Sequence, residues 1–85
     1  MLIESAYREY SAQMLGVMLR FSRDEAAAGD AVSQAFMQAM ANRSLLEAMP
    51  EPAMKAWLYA AAAQRLNRYE TQRGTHRLRG GTVWR

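Results

Sequence analysis

Amide and guanidinium side chains are concentrated in a short segment of this 85-residue chain, directly after a run of four alanines. They are Gln64, Arg65, Asn67 and Arg68. Arginine binds phosphates and base edges, and the amides of asparagine and glutamine pair with base edges, so the combination is typical of nucleic-acid contacts. The same region carries three rings on which an unpaired base could stack: Trp57, Tyr59 and Tyr69. The alternative is that the rings belong to a core and the arginines only solubilise a helix end. The spacing does not decide between the two.

A second polar row lies upstream of this segment. Asp30, Gln34 and Gln38 follow one another at intervals of four residues, so they share one face of a helix. The row lies beside the apolar stripe of that helix and not within it. It is a candidate docking surface for a partner protein, although the pattern alone favours a solvated helix face.

Residues suited to catalysis are scarce. The single histidine, His76, has no nucleophile or paired acid near it in the sequence. Asp24, Glu25 and Asp30 cluster where a helix is expected to begin, and there their charge favours the positive end of the helix dipole. The sequence has no cysteine, no glycine-rich phosphate loop and no metal-ligand spacing. We therefore expect no catalytic residue, no metal and no cofactor, and a binding protein in place of an enzyme.

The charge is distributed unevenly along the chain. The formal net charge is +3, but residues 1–63 carry a net −2 while residues 64–85 carry a net +5, almost all of it arginine. This asymmetry indicates an anionic partner at the C-terminal end. No stretch approaches the roughly 20 apolar residues of a membrane span, and the N-terminus does not read as a secretory signal. Together with the absence of cysteine, this predicts a cytoplasmic protein without a membrane partner.

Apolar periodicity predicts an all-α fold with three main helices, over residues 2–21, 24–42 and 53–72. The expected buried stripe of the first helix is Ile3, Tyr7, Tyr10, Met14, Met18 and Phe21. That of the second is Ala28, Val32, Ala35, Phe36, Ala39 and Met40. That of the third is Met54, Leu58, Ala61 or Ala62, Leu66 and Tyr69. Gly16 is expected to let a neighbouring helix approach the first helix closely.

The ends of these helices are also predicted from local residues. Asp24 is expected to cap the second helix. The connection 43–53 contains both prolines and is expected to hold a short extra helix within residues 44–49. Gly74 is expected to end the third helix, which leaves residues 74–85 as a basic, flexible tail.

Three motifs appear in a recognisable order: AYREYSAQMLGVMLRFSRDEAAAGD ending at Asp30, DAVSQAF from Asp30 to Phe36, and WLYAAA from Trp57 to Ala62. In this order and at these separations, the chain resembles region 2 of the sigma-70 family, in its small extracytoplasmic-function type. The resemblance covers about residues 3–73. It implies a sigma region 2-like helical domain over residues 1–73.

The resemblance also implies two binding surfaces. In that family, region 2.2 docks on the clamp coiled coil of the β′ subunit of RNA polymerase. The implied docking residues are Asp30, Gln34, Met37 and Gln38. The family uses the third helix and the loop before it on the non-template strand of the −10 promoter element, with one base flipped into a pocket at the loop. The implied DNA contacts are Arg43, Lys55, Gln64, Arg65, Asn67 and Arg68.

The implied function is a transcription-initiation module whose partners are core RNA polymerase, single-stranded −10 promoter DNA and, as a candidate, an anti-sigma factor. The alternative is a sigma-like interaction module that binds an anti-sigma factor or polymerase without reading DNA. Two features favour the alternative. Glu70 interrupts the basic residues, and the sequence given has no second helix-turn-helix domain of the kind that reads the −35 element in the family. A basic amphipathic helix lying on a membrane is a third alternative, but its apolar residues are needed for the core.

Overall fold

The computed structural model describes the backbone of residues 1–81 and the side chains of residues 1–69. Its helices are α1 (Ile3–Phe21), α2 (Glu25–Ala41), α3 (Arg43–Glu47) and α4 (Glu51–Gly81). The described backbone contains no strand, so the prediction of an all-α bundle of three main helices is confirmed. The short extra helix expected in the 43–53 connection is also confirmed, as α3.

The three long helices pack against one another, and α3 closes one end by contacts with α1 and α2. The buried side of α2 is mostly alanine, at positions 27, 28, 31, 35 and 39. Since alanine carries only a methyl group, α1 and α4 can approach the α2 backbone closely from two sides. The large side chains of the core come mainly from α1 and α4, and the most fully buried of them are Ile3, Met14, Met18, Leu46, Met54 and Leu58.

Four residues assigned to the buried stripes are exposed, and for them the prediction was wrong. Tyr7 is 52% exposed, Phe21 72%, Met40 51% and Tyr69 36%. Ala6 takes the buried position beside Tyr7, whose ring packs edge-on against Phe36 with 5.1 Å between centroids. Phe21 is the last residue of α1. A heptad-like spacing identifies the side of the helix that faces the bundle, but it does not show where the neighbouring helices stop covering it.

The prediction for Gly16 was also wrong. A Cβ placed on Gly16 would have no atom within 4 Å, apart from its own helix backbone, so no neighbouring helix approaches there. The glycine is exposed to solvent.

Side-chain hydrogen bonds explain where α1 and α2 begin, one of them local and the other long-range. Asp24 caps α2 as predicted, because its carboxylate accepts a hydrogen bond from the Ala27 N–H at 3.1 Å. The residue before α1, Leu2, has no side chain that can do this. A distant residue replaces the cap: the Glu47 carboxylate accepts the Ile3 N–H at 2.8 Å. The start of α1 therefore depends on α3, which the sequence of α1 cannot show.

The bounds of α4 differ from those predicted. The helix begins at Glu51 rather than 53, since the Pro50 carbonyl already accepts hydrogen bonds from Ala53 and Met54. Pro52 in the first turn of α4 costs the helix no hydrogen bond, because a backbone N–H at that position would have no partner within the helix. The predicted end at Gly74 was wrong, because α4 continues to Gly81. No residue of the described backbone has a positive φ, which is the conformation that a glycine needs to end a helix.

Some predictions concern residues whose side chains are not described. The side chains of Glu70 and His76 lie outside the described residues. The division into a domain over residues 1–73 and a tail over residues 74–85 stays a prediction.

Candidate functional site

The four predicted docking residues lie on one face of α2. Asp30, Gln34, Met37 and Gln38 are spaced i, i+4, i+7 and i+8, so successive turns of the helix present them together. Met37 and Gln38 are exposed, while Asp30 and Gln34 are half-buried. We call these four residues the α2 face.

An apolar groove of about 540 Å³ borders the α2 face. Its apolar lining includes Tyr7 of α1 and Phe36, Met37 and Met40 of α2, so Met37 belongs both to the groove and to the α2 face. Arg8 also lines it. Sequence reasoning missed this groove because it assigned Tyr7 and Met40 to the core. The groove extends the α2 face with apolar surface toward α1.

The six residues predicted to contact DNA do not form one surface. Gln64, Asn67 and Arg68 are all exposed on α4. The other three, which are Arg43, Lys55 and Arg65, contact residues of this chain. The exposed part of the predicted set is therefore a patch of one helix, little more than one turn long.

Arg65 joins the two predicted surfaces. Its Nε donates a hydrogen bond to Oδ2 of Asp30 at 3.0 Å, across the packed pair α2 and α4. The side chains are 39% and 30% exposed, so the ion pair lies at the edge of the core. Asp30, which is predicted to dock on polymerase, thus neutralises Arg65, which is predicted to contact DNA.

Arg43 is held by two carboxylates. Its guanidinium donates to Glu47 at 2.8 Å and also pairs with Glu4 of α1. The hydrogen bond from Arg43 lowers the pKa of Glu4, and the same contact raises the pKa of Arg43. Because Glu47 also accepts the first N–H of α1, this cluster connects α1 and α3 and is structural in character.

Lys55 lies in the first turns of α4, before the exposed patch, which is near the middle of the helix. Its Nζ is 5.2 Å from the centroid of the Tyr10 ring, which is a cation–π arrangement. The Tyr10 hydroxyl donates to the Glu51 carboxylate. This hydrogen bond, with the burial of the ring, raises the pKa of Tyr10 to about 12. Lys55 is ten residues from Arg65, or roughly 15 Å along the helix.

The rings proposed for base stacking are only partly available. Trp57 and Tyr59 are half-buried against the core, and the Tyr59 hydroxyl donates to Gln13 Oε1 at 3.1 Å. Tyr69 is 36% exposed. The most exposed ring among the described residues is Phe21, which sequence reasoning placed in the core. Its position as the last residue of α1, followed by Ser22 and Arg23, was the signal that could have identified it.

Comparison with known proteins gives one family. Residues 6–75 match the family model described as Sigma-70 region 2, which is most of the chain. No curated protein and no solved structure gave a match. Within the described residues, none of the helices has the length and apolar character that crossing a membrane requires.

Proposed function

We propose that this chain, which belongs to the sigma-70 region 2 family, is a transcription-initiation module of the extracytoplasmic-function type. Region 2 domains of this family bind RNA polymerase and contact the −10 promoter element, and they are regulatory modules that do not catalyse a reaction. In this chain, the α2 face docks on the β′ clamp coiled coil. The exposed residues of α4 contact the non-template strand. Both events take place in the bacterial cytoplasm, where polymerase works.

The observation that supports this proposal best is that the two predicted surfaces adjoin at the Asp30–Arg65 ion pair. A polymerase helix on the α2 face and a DNA strand along α4 would then lie side by side. The α1–α2 groove, with Met37 at its border, adds the apolar surface that a docked helix needs. Such an arrangement holds the strand next to the enzyme that will transcribe it.

The chemistry required of the chain is binding alone. Opening promoter DNA costs unpairing energy, and a protein that captures the unpaired strand offsets this cost. Stacking contributes about 1–3 kcal/mol per base, and phosphate contacts add to it. Arg68 is exposed and Gln64 and Asn67 stand beside it, so one helix provides a cation for phosphates and amides for base edges. The polymerase supplies the nucleotide chemistry.

Docking is tested by co-migration of the purified chain with core RNA polymerase. We expect Asp30→Ala and Gln34→Ala to weaken the complex, because both remove polar groups from the α2 face. Glu9→Ala is the matched control, since Glu9 is an exposed acid of α1 outside that face. Unchanged binding by both α2 variants would contradict the docking assignment.

DNA contact is tested by the affinity for a single-stranded −10-like oligonucleotide across a range of salt concentrations. Each phosphate contact adds about 0.7 to the slope of log affinity against log salt for single strands. We expect Arg68→Ala to remove a contribution of this size. Arg65→Ala should remove less, because Asp30 already neutralises Arg65. An unchanged slope in the Arg68 variant would show that this side chain does not meet the strand.

A second candidate function is supported by the ion pairs themselves. Arg43 and Arg65 are both paired with carboxylates, which leaves fewer cations for DNA, while the α1–α2 groove offers apolar surface for a protein. The chain would then be a sigma-like interaction module that binds polymerase or an anti-sigma factor without reading DNA. Polymerase binding combined with no oligonucleotide binding at low salt would favour this function.

A further inference from the structure

The last residue of α1 carries a ring that the bundle does not cover. Phe21 is 72% exposed, the largest value among the exposed large apolar side chains of the described residues. It lies at the edge of an open groove of about 710 Å³ between α1 and α4, which we call the α1–α4 groove. An exposed ring at the edge of a groove offers a face on which another flat ring can stack.

The floor of the α1–α4 groove explains the exposed alanines of α4. Ala60 and Ala63 line the groove and are exposed, whereas Ala62 is fully buried against the other helices. Only part of the alanine run therefore serves helix packing. Ala60 and Ala63 leave a shallow apolar floor next to Phe21, where longer side chains would fill the space.

The polar edge of the groove carries groups that recognise bases. Ala60, Ala63, Gln64 and Asn67 are spaced i, i+3, i+4 and i+7, so the two amides stand over the alanine floor on one side of α4. Amide side chains both donate and accept hydrogen bonds, as base edges do. An apolar floor with two amides at its edge fits a flat, polar-edged ring better than an aliphatic side chain.

Three arginines lie close in the sequence to residues that line this groove. Arg68 follows Asn67 directly, and Arg20 and Arg23 flank Phe21 in the sequence. All three are exposed, and none of them forms an ion pair within the described residues. The acid nearest in sequence, Asp24, caps α2 with its carboxylate. These arginines favour an anionic partner over a basic or purely apolar one.

From these features we propose that the α1–α4 groove is a subsite for one unpaired nucleobase, which stacks on Phe21 while Gln64 and Asn67 bind its edge. This inference rests on the proposed function and names a contact within it. The subsite is distinct from a base pocket at the 43–53 connection, because Gln64 is eleven residues beyond Ala53. That separation is roughly 16 Å along α4.

The test uses the full chain and single-stranded oligonucleotides in which one adenine at a time is replaced by the fluorescent base 2-aminopurine. We expect one position whose fluorescence is quenched on binding, because stacking quenches this base. Phe21→Ala should abolish the quenching and lower the affinity about tenfold, within the range measured for loss of one stacked base. The salt slope should stay unchanged, since no charge is removed. Phe21→Tyr keeps the ring and should restore both signals.

Leu2→Ala is the matched control, because Leu2 is an apolar residue directly before α1 that is 57% exposed and lies outside the groove. Equal affinities for the Phe21→Ala and Leu2→Ala variants would overturn the subsite. So would a Phe21→Ala variant that loses polymerase and keeps the oligonucleotide, since the groove would then be a protein-docking site. If Arg68→Ala still lowers the salt slope in either case, the proposed function stands without the subsite. If the unmodified chain binds no oligonucleotide at any salt concentration, the proposed function itself fails.

Discussion

Replacing Asp30 by asparagine should have opposite effects on the two proposed partners. The Asp30 carboxylate lies on the α2 face and holds the Arg65 guanidinium at 3.0 Å. Asparagine keeps the size of the side chain but removes its charge. Arg65 then becomes available to phosphates, while the α2 face loses an ionic group. We expect tighter binding of single-stranded DNA and weaker binding of polymerase from the same substitution.

The size of the effect follows from the exposure of the pair. Both side chains are about one-third exposed, so solvent screening limits the ion pair to about 0.5–1 kcal/mol. If binding a phosphate requires breaking this pair, its removal should tighten the complex by roughly two- to fivefold. The salt slope should become steeper by about 0.7, since one more cation meets the strand. The same loss should lower the melting temperature by about 3–6 °C in a domain of this size.

Glu9→Gln provides the control for net charge. Glu9 is an exposed acid on α1 that forms no ion pair within the described residues, so the substitution changes the charge of the chain equally and leaves Arg65 paired. Oligonucleotide affinity is measured by fluorescence anisotropy at several salt concentrations for both variants and the unmodified chain. Identical gains in the Asp30 and Glu9 variants would refute the reasoning. The gain would then come from net charge, and not from release of Arg65.

Three further predictions concern stability and titration. Gly16→Ala should raise the free energy of unfolding by about 1 kcal/mol, because the glycine is exposed inside α1 and a Cβ there meets nothing; thermal melting checks this. Tyr10→Phe should remove the step in tyrosinate absorbance near pH 12, because Tyr10 is the group whose pKa is raised to about 12. The hydrogen bond from Tyr10 to Glu51 stabilises the fold below the ordinary tyrosine pKa of about 10, and this stabilisation is lost as pH rises through the raised pKa. Arg43→Ala should lower the melting temperature at pH 7 but not in acid. The hydrogen bond from Arg43 lowers the pKa of Glu4, so it stabilises the fold above the ordinary carboxyl pKa, and this stabilisation is lost as pH falls through the lowered pKa of Glu4. A melting difference that persists at low pH would contradict the last assignment.

The fold could be predicted because its determinants are local in the sequence. Apolar spacing identified all three long helices, and Asp24 identified the start of α2 through a hydrogen bond that spans three residues. The wrong predictions of a helix end at Gly74 and of a close helix contact at Gly16 share a cause. Glycine permits a helix end or a close contact but does not require either, so only the surrounding structure shows which applies.

The candidate site could be predicted only in part, because its electrostatics depend on contacts between residues far apart in the chain. Asp30 and Arg65 are separated by 35 residues, and Glu4 and Arg43 by 39. A single sequence indicates that each residue is polar and on a helix face, but not which opposite charge lies within 4 Å of it. For Phe21 the difficulty was different. Its spacing was that of a core residue, and its exposure depends on where α1 ends relative to its neighbours.

The ion pairs determine where an anionic strand can lie on this bundle. At the α3 end, Arg43 is neutralised by two carboxylates, and Lys55 lies over the Tyr10 ring. Toward the α1–α4 groove, Arg68 is exposed without an ion pair among the described residues, and so are the arginines that flank Phe21. Arginines without an ion pair among the described residues therefore lie next to Phe21 and Asn67 in the sequence, whereas Arg43 and Arg65 are neutralised. On the proposed function, a strand bound by these arginines would pass the Phe21 ring and the amides of α4, and it would meet Arg65 when polymerase engages Asp30.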